Sequence, residues 1–115
     1  MKLQFKKASV TVSGDCYQIM FHDDRDVEDE DEPYFLIQRQ FEFLDGGACH
    51  FESHQDDIMD HCEAKSVKLS PNSLVLLFGT QPTQEVEINF HSCEPGIQKF
   101  ASTLKEMIPH AEIEV

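Results

Sequence analysis

Residues 85–108 run EVEINFHSCEPGIQKFASTLKEMI. In the first six, Val86, Ile88 and Phe90 take every second place, with Glu85, Glu87 and Asn89 between them. A period of two puts the apolar side chains on one face of an extended chain and leaves the other face wet. This is the pattern of a strand in an antiparallel sheet. From Ile97 the period changes: Ile97, Phe100, Ala101, Leu104, Met107 and Ile108 recur at three and four, forming the stripe of an amphipathic helix. Ser92 predicts an N-cap, Glu94 suits the positive end of a helix, and Pro95 fits its first turn. The spacing therefore predicts a helix from about Cys93 to Ile108. Pro109 stops it, and Glu112 to Val115 can add one short strand.

Moving outward, the same two-residue period recurs. Tyr17, Ile19 and Phe21 share one face. Phe35, Ile37, Phe41 and Phe43 share another, with Tyr34 and Leu36 opposite. Val67 and Leu69 point together, and Lys65 extends that face toward a rim. Leu74 to Phe78 is a continuous apolar run, which predicts an interior strand. Ser70-Pro71-Asn72-Ser73 predicts a hairpin turn between the last two, and Gly46-Gly47 predicts another turn after Leu44. Several antiparallel strands followed by one helix make an α+β fold. The expected architecture is a mainly antiparallel β-sheet with one C-terminal amphipathic helix packed on one face.

At 115 residues, the expectation is a single domain spanning 1–115. A chain of this size can bury roughly two-thirds of its surface. With 40% apolar residues and nine Phe it needs neither metal nor disulfides to build a core. Acidic residues number 22 against nine basic ones, a formal charge of −13. Phosphate neutralisation needs basic clusters, so nucleic acid is not an expected partner, and an anionic membrane surface is disfavoured for the same reason. A basic protein partner suits the charge, and a homo-oligomer is compatible with the sequence. The opening MKLQFKKASVTV has no apolar run of leader length, and no stretch is long enough to span a bilayer, so the expected location is cytoplasmic. The four cysteines, at 16, 49, 62 and 93, form no CxxC pair and read as packed thiols.

Eight of the ten residues in DDRDVEDEDE, 23–32, are acidic. Such a block repels itself and has nothing to bury, so it predicts a surface loop, closed by Pro33.

Chemistry-bearing patterns are weaker. His50-Phe51-Glu52-Ser53-His54 contains two histidines, but in an extended segment they lie about 13 Å apart, too far to share a zinc. His50-Phe51-Glu52 matches the start of the zinc-deaminase pattern without the later PCxxC. A site joining Cys49 or His50 to His61 and Cys62 from another strand stays open. No phosphate loop, GxSxG elbow or GxGxxG is present. No metal, no cofactor and no catalytic residue is assigned, and the chain is not expected to be an enzyme. Arg39 shares its face with Phe35, Ile37 and Phe41. A guanidinium there must reach a rim, find a carboxylate or belong to a binding face.

Tyr34-Phe35-Leu36-Ile37-Gln38-Arg39 resembles the YLLLQR segment of the bacterial immunity protein 10 family. Ser66-Val67-Lys68-Leu69-Ser70 with Ser73-Leu74-Val75-Leu76-Leu77 is similar to that family's hairpin. Glu85-Val86-Glu87-Ile88-Asn89-Phe90 is similar to its later strand, and Phe100 to Ile108 to its helix. The resemblance covers about two-thirds of the chain. It departs at Gln55 to Ala64, which lacks the Gly and Tyr residues common before the hairpin, and at the acidic stretch. The resemblance implies a cytosolic antitoxin that binds and neutralises a cognate polymorphic toxin. On that reading the candidate toxin-binding residues are Tyr34, Gln38 and Arg39, with Asp23, Asp24, Asp26, Glu28, Asp29 and Glu30 steering a basic partner. The alternatives are a small metal-binding or enzymatic protein using Cys and His residues, and an acidic regulatory subunit.

Overall fold

The computed structural model describes residues 2–13, 16–23, 33–40, 49–54, 59–79, 83–94 and 96–114, with the backbone alone described at 13, 40 and 59–61. Among these residues, nine strands and one helix follow in order: β1 (Lys2–Ser13), β2 (Cys16–His22), β3 (Tyr34–Gln40), β4 (Cys49–Ser53), β5 (Met59–Cys62), β6 (Ser66–Ser70), β7 (Ser73–Phe78), β8 (Gln84–Glu94), α1 (Ile97–Met107) and β9 (Glu112–Ile113). They form one sheet in the order β5-β4-β3-β2-β1-β8-β7-β6-β9.

The sheet is mainly antiparallel, as the alternation predicts, but it is mixed. β1 runs parallel to β8, and β9 runs parallel to β6. The first pairing makes the N-terminal segment the middle strand of the sheet. Its alternation slips: Phe5 and Ala8 are both buried although three residues apart, with Lys6 and Lys7 between them. That slip hides the strand from a two-residue count.

The sheet is rolled rather than flat. Phe51 on β4 stacks on Phe78 of β7 with ring centroids 4.4 Å apart, although the two strands are five places apart in the sheet. Five flat spacings at about 4.8 Å would separate them by about 24 Å. Phe35 on β3 also meets Phe78, at 6.5 Å. Inside the roll, Phe21 contacts Phe5, Phe35, Phe90 and Phe100. Val67, Leu69, Leu74, Leu76, Val86 and Ile88 complete the core as the alternation predicts. The hairpin turn falls at Pro71-Asn72, between the paired Ser70 and Ser73.

The helix buries Phe100, Thr103, Leu104 and Met107 against β1, β2 and β8. It begins later than the spacing predicts. Ser92, Cys93 and Glu94 extend β8, where Ser92 pairs with Lys7, Cys93 with Ala8 and Glu94 with Ser9. The Lys7 ammonium holds Glu94 at 3.0 Å. Strand pairing therefore takes the residues that composition offers as a helix start, and Gly96 becomes the N-cap at φ 156, ψ 162. That backbone conformation disfavours any residue with a Cβ. Pro109 follows the last turn as expected, and β9 is shorter than the 112–115 segment. The turn expected at Gly46-Gly47 and the side chains of Phe41 and Phe43 lie outside the described residues.

Candidate binding face

Alternation that buries Ile19, Phe21, Phe35, Ile37, Cys49 and Phe51 sends their neighbours to the outer face of the roll. Strand register aligns these neighbours into three rows across β1, β2, β3 and β4. Ser9, Met20, Leu36 and Glu52 form one row, and Thr11, Gln18, Gln38 and His50 another. Lys7, His22 and Tyr34 form the third, with His54 beside Tyr34, whose carbonyl accepts from the His54 N–H at 3.2 Å. Met20, Leu36, Tyr34, Gln38, His50 and Glu52 are each half-buried by their neighbours alone. The helix packs on the opposite side.

Polar contacts fix this face. The Tyr34 hydroxyl donates to Glu52 Oε2 at 2.7 Å, and His50 Nε2 lies 3.2 Å from Glu52 Oε1. Those two hydrogen bonds hold the Glu52 carboxyl below its usual range, Tyr34 contributing most. Ser9 Oγ and His22 Nε2 are 2.8 Å apart. The Ser9–His22 pair resembles the start of a nucleophilic arrangement. The arrangement suits recognition: a rigid carpet with an aromatic ring, two apolar side chains and fixed donors and acceptors.

The structure separates the sequence-selected residues. Tyr34 and Gln38 stand on the outer face, whereas Arg39 points into the roll. Its guanidinium donates to the Met107 carbonyl, at the end of α1. A cation is favoured there by the negative pole of the helix, so Arg39 ties β3 to the helix instead of meeting a carboxylate or the rim. Asp23 Oδ1 accepts from the Lys6 N–H at 3.1 Å, at the end of β2. Asp24, Asp26, Glu28, Asp29 and Glu30 lie outside the described residues.

The open Cys/His possibility also divides. Register pairs Cys49 with Cys62 and His50 with His61. Cys49 is buried inside and His50 lies outside, so those two cannot serve one ion. Among the described residues no group of three His, Cys, Asp or Glu side chains is arranged to hold a metal. Burial pushes the Cys49 thiol up to about 11, with Arg39 opposing and Cys62 adding to the rise; burial alone does the same to Cys93.

Sequence reasoning missed two open depressions. One of about 440 Å³ lies between α1 and the β1–β2 hairpin, lined by Val12, Tyr17, Lys99, Ser102, Thr103 and Glu106. The other, of about 420 Å³, brings Lys65, Lys68 and His110 together. The Lys and His side chains of the second are already engaged. Lys65 donates to Thr83 Oγ1 at 2.7 Å, Lys68 pairs with Glu114 at 3.4 Å, and His110 Nε2 meets the Ala64 carbonyl at 2.8 Å. Only the three-dimensional pairing of β6 with β9 gathers these residues, so no local signal announces them.

Among the described residues, no helix is long and apolar enough to cross a membrane. Comparison of the chain with models of known protein families and with curated proteins finds no match.

Proposed function

We propose that the protein is a small acidic antitoxin that neutralises a cognate bacterial toxin by protein–protein contact in the cytosol. The observation that carries this reading is the outer face of β2–β4. Tyr34, Leu36, Met20 and Gln38 lie there in adjoining rows, and Tyr34 stands at the sheet end where the chain leaves β2 and re-enters β3 after Pro33. The formal charge of −13 suits a basic partner. The resemblance of residues 34–39 to the immunity protein 10 segment agrees with this assignment.

Size sets the footprint. Twelve positions on this face cover about 400 Å², at roughly 4.8 Å between strands and about 6.6 Å between successive outward residues along them. A specific interface takes about 800 Å² from each partner. The rows alone supply half of this, so the footprint extends onto the adjoining acidic segment. The two parts then act at different stages: exposed charge accelerates encounter, and packed side chains slow dissociation.

The test is co-expression with the product of the neighbouring toxin gene, followed by binding kinetics on the purified pair. Growth is protected and the two proteins co-purify if the reading holds. Neutralising four carboxylates within 24–32 to Asn or Gln should lower kon and flatten its salt dependence, with koff little changed. Tyr34→Ala with Gln38→Ala should raise koff. Absence of protection, or kinetics untouched by both sets of changes, overturns the proposal.

A further inference from the structure

At the β5 edge of the sheet, one cross-strand pair on the core side consists of two thiols. Cys49 and Cys62 are direct cross-strand partners. Cys49 is fully buried, and Cys62 is half-buried against the same core. Opposed residues in an antiparallel pair have Cα atoms about 4.5–5.5 Å apart and side chains on one face. A disulfide needs a Cα separation of about 4.4–6.8 Å. The backbone thus already sits where the bond requires it. Neither of the other cysteines is so placed, since Cys16 pairs with Ser13 and Cys93 with Ala8. All four are thiols in this structure.

We propose that Cys49 and Cys62 form a reversible dithiol–disulfide site, oxidised by a small-molecule disulfide such as oxidised glutathione, that fastens the edge strand β5 to β4. The half-buried Cys62 reacts first. Its thiolate attacks one sulfur of the small disulfide, the S–S bond breaks, and one small thiolate leaves and takes up a proton. Cys49 then loses its proton, and its sulfur attacks Sγ of Cys62. The second small thiolate leaves and is protonated in turn. Two protein thiols are oxidised by two electrons, and one disulfide is reduced to two thiols. Burial makes Cys49 the slower attacker, and the neighbouring Arg39 guanidinium favours its thiolate. As the last strand of the sheet, β5 has β4 as its one neighbour among the described residues, so the bond acts where the ladder is easiest to open.

The test is exposure of the native protein to oxidised glutathione at pH 8, read by intact mass. The expected result is a loss of about 2 Da per chain, reversed by a dithiol reductant. Alkylation of the oxidised protein should then mark two cysteines instead of four, and peptide mapping should join the segments holding Cys49 and Cys62. Cys49→Ser should stop at a glutathione adduct of about 305 Da on Cys62. The double variant Cys16→Ser, Cys93→Ser keeps the pair intact and must still lose about 2 Da, whether or not the Cys49 variant folds. A bond to Cys16 or Cys93, adducts on all four thiols without the mass loss, or a bond formed only after denaturation would each overturn the proposal.

Discussion

Replacing Phe51 and Phe78, singly and together, tests whether the sheet rolls onto itself. The rings are stacked at 4.4 Å and 14°, yet sequence and sheet order place their strands far apart. In a flat sheet the two positions would be about 24 Å apart, well beyond the roughly 7–10 Å within which substitutions couple. Truncation to Ala costs about 3–5 kcal/mol per Phe. The double variant would lose about 6–10 kcal/mol from a total that is typically 5–15, leaving little folded protein to measure. Leu is the better substitution, because it keeps most of the apolar volume and removes the stacked ring. Each of Phe51→Leu and Phe78→Leu should cost about 1–2 kcal/mol. Both singles abolish the same stacking contact, worth about 0.5–1.5 kcal/mol beyond area burial. The double variant should therefore be less destabilised than the sum of the singles by that amount. Urea melts with a shared m-value supply the four free energies. Additivity within about 0.3 kcal/mol would refute the packing of β4 against β7, and with it the rolled sheet.

Phe100→Ala should cost about 3–5 kcal/mol in the same melts, because its ring is fully buried against Phe21 and Phe90; a loss under about 1 kcal/mol would place the helix off the sheet. Stability should also fall at alkaline pH. The Cys49 thiol titrates near 9 when unfolded and near 11 when folded, so its contribution is complete below pH 9 and is lost as pH rises toward 11. Two pKa units correspond to on the order of 2–3 kcal/mol, and Cys49→Ala should lose correspondingly less across that window in melts from pH 8 to 11. Glu52 behaves in the opposite sense: its carboxyl is held low, so its contribution is present above the ordinary carboxylate pKa and fades as acid protonates it. Tyr34→Phe removes the larger cause and should raise the Glu52 titration midpoint seen by carbon NMR; an unmoved midpoint would contradict the Tyr34–Glu52 hydrogen bond.

What the sequence made legible is what local periodicity encodes. Val86, Ile88 and Phe90 announce β8, Pro71-Asn72 the hairpin, and Phe100, Leu104 and Met107 the buried stripe of α1. Non-local pairing leaves no such trace. The parallel partnership of β1 with β8 joins residues some 85 positions apart, as in Lys7 with Ser92, with no turn between them to mark it. Ser92 and Glu94 carry a genuine helix-start composition, but Lys7 offers Glu94 an ion pair and the strand continues; tertiary pairing outweighs a cap worth about 1 kcal/mol. Alternation correctly placed Arg39 among apolar neighbours, whereas its partner, a carbonyl 68 residues away, is visible only once the helix is docked. Within the candidate face, Tyr34 and Gln38 were legible through their segment. Met20, His50 and Glu52 become their neighbours only through register.

On the proposed antitoxin reading, the charge and the carpet divide the work of binding unequally. Steering by opposite charge raises association by roughly 10 to 10³ at low salt, which at about 1.4 kcal/mol per decade is about 1.4–4 kcal/mol. Nanomolar affinity requires about 12 kcal/mol. The remaining 8 kcal/mol or more has to come from desolvated contacts, and anchors contribute about 2 kcal/mol or more each when they fill pockets on a partner. Some four anchors are needed, and Tyr34, Leu36, Met20 and Gln38 are that many half-buried side chains on one rigid surface. The hydrogen bond to Glu52 pre-orients the Tyr34 ring, so less side-chain entropy is lost when a partner closes over it. Arg39 serves the same end indirectly, since anchoring β3 to the C-terminal end of the helix fixes the strand from which Tyr34, Leu36 and Gln38 project.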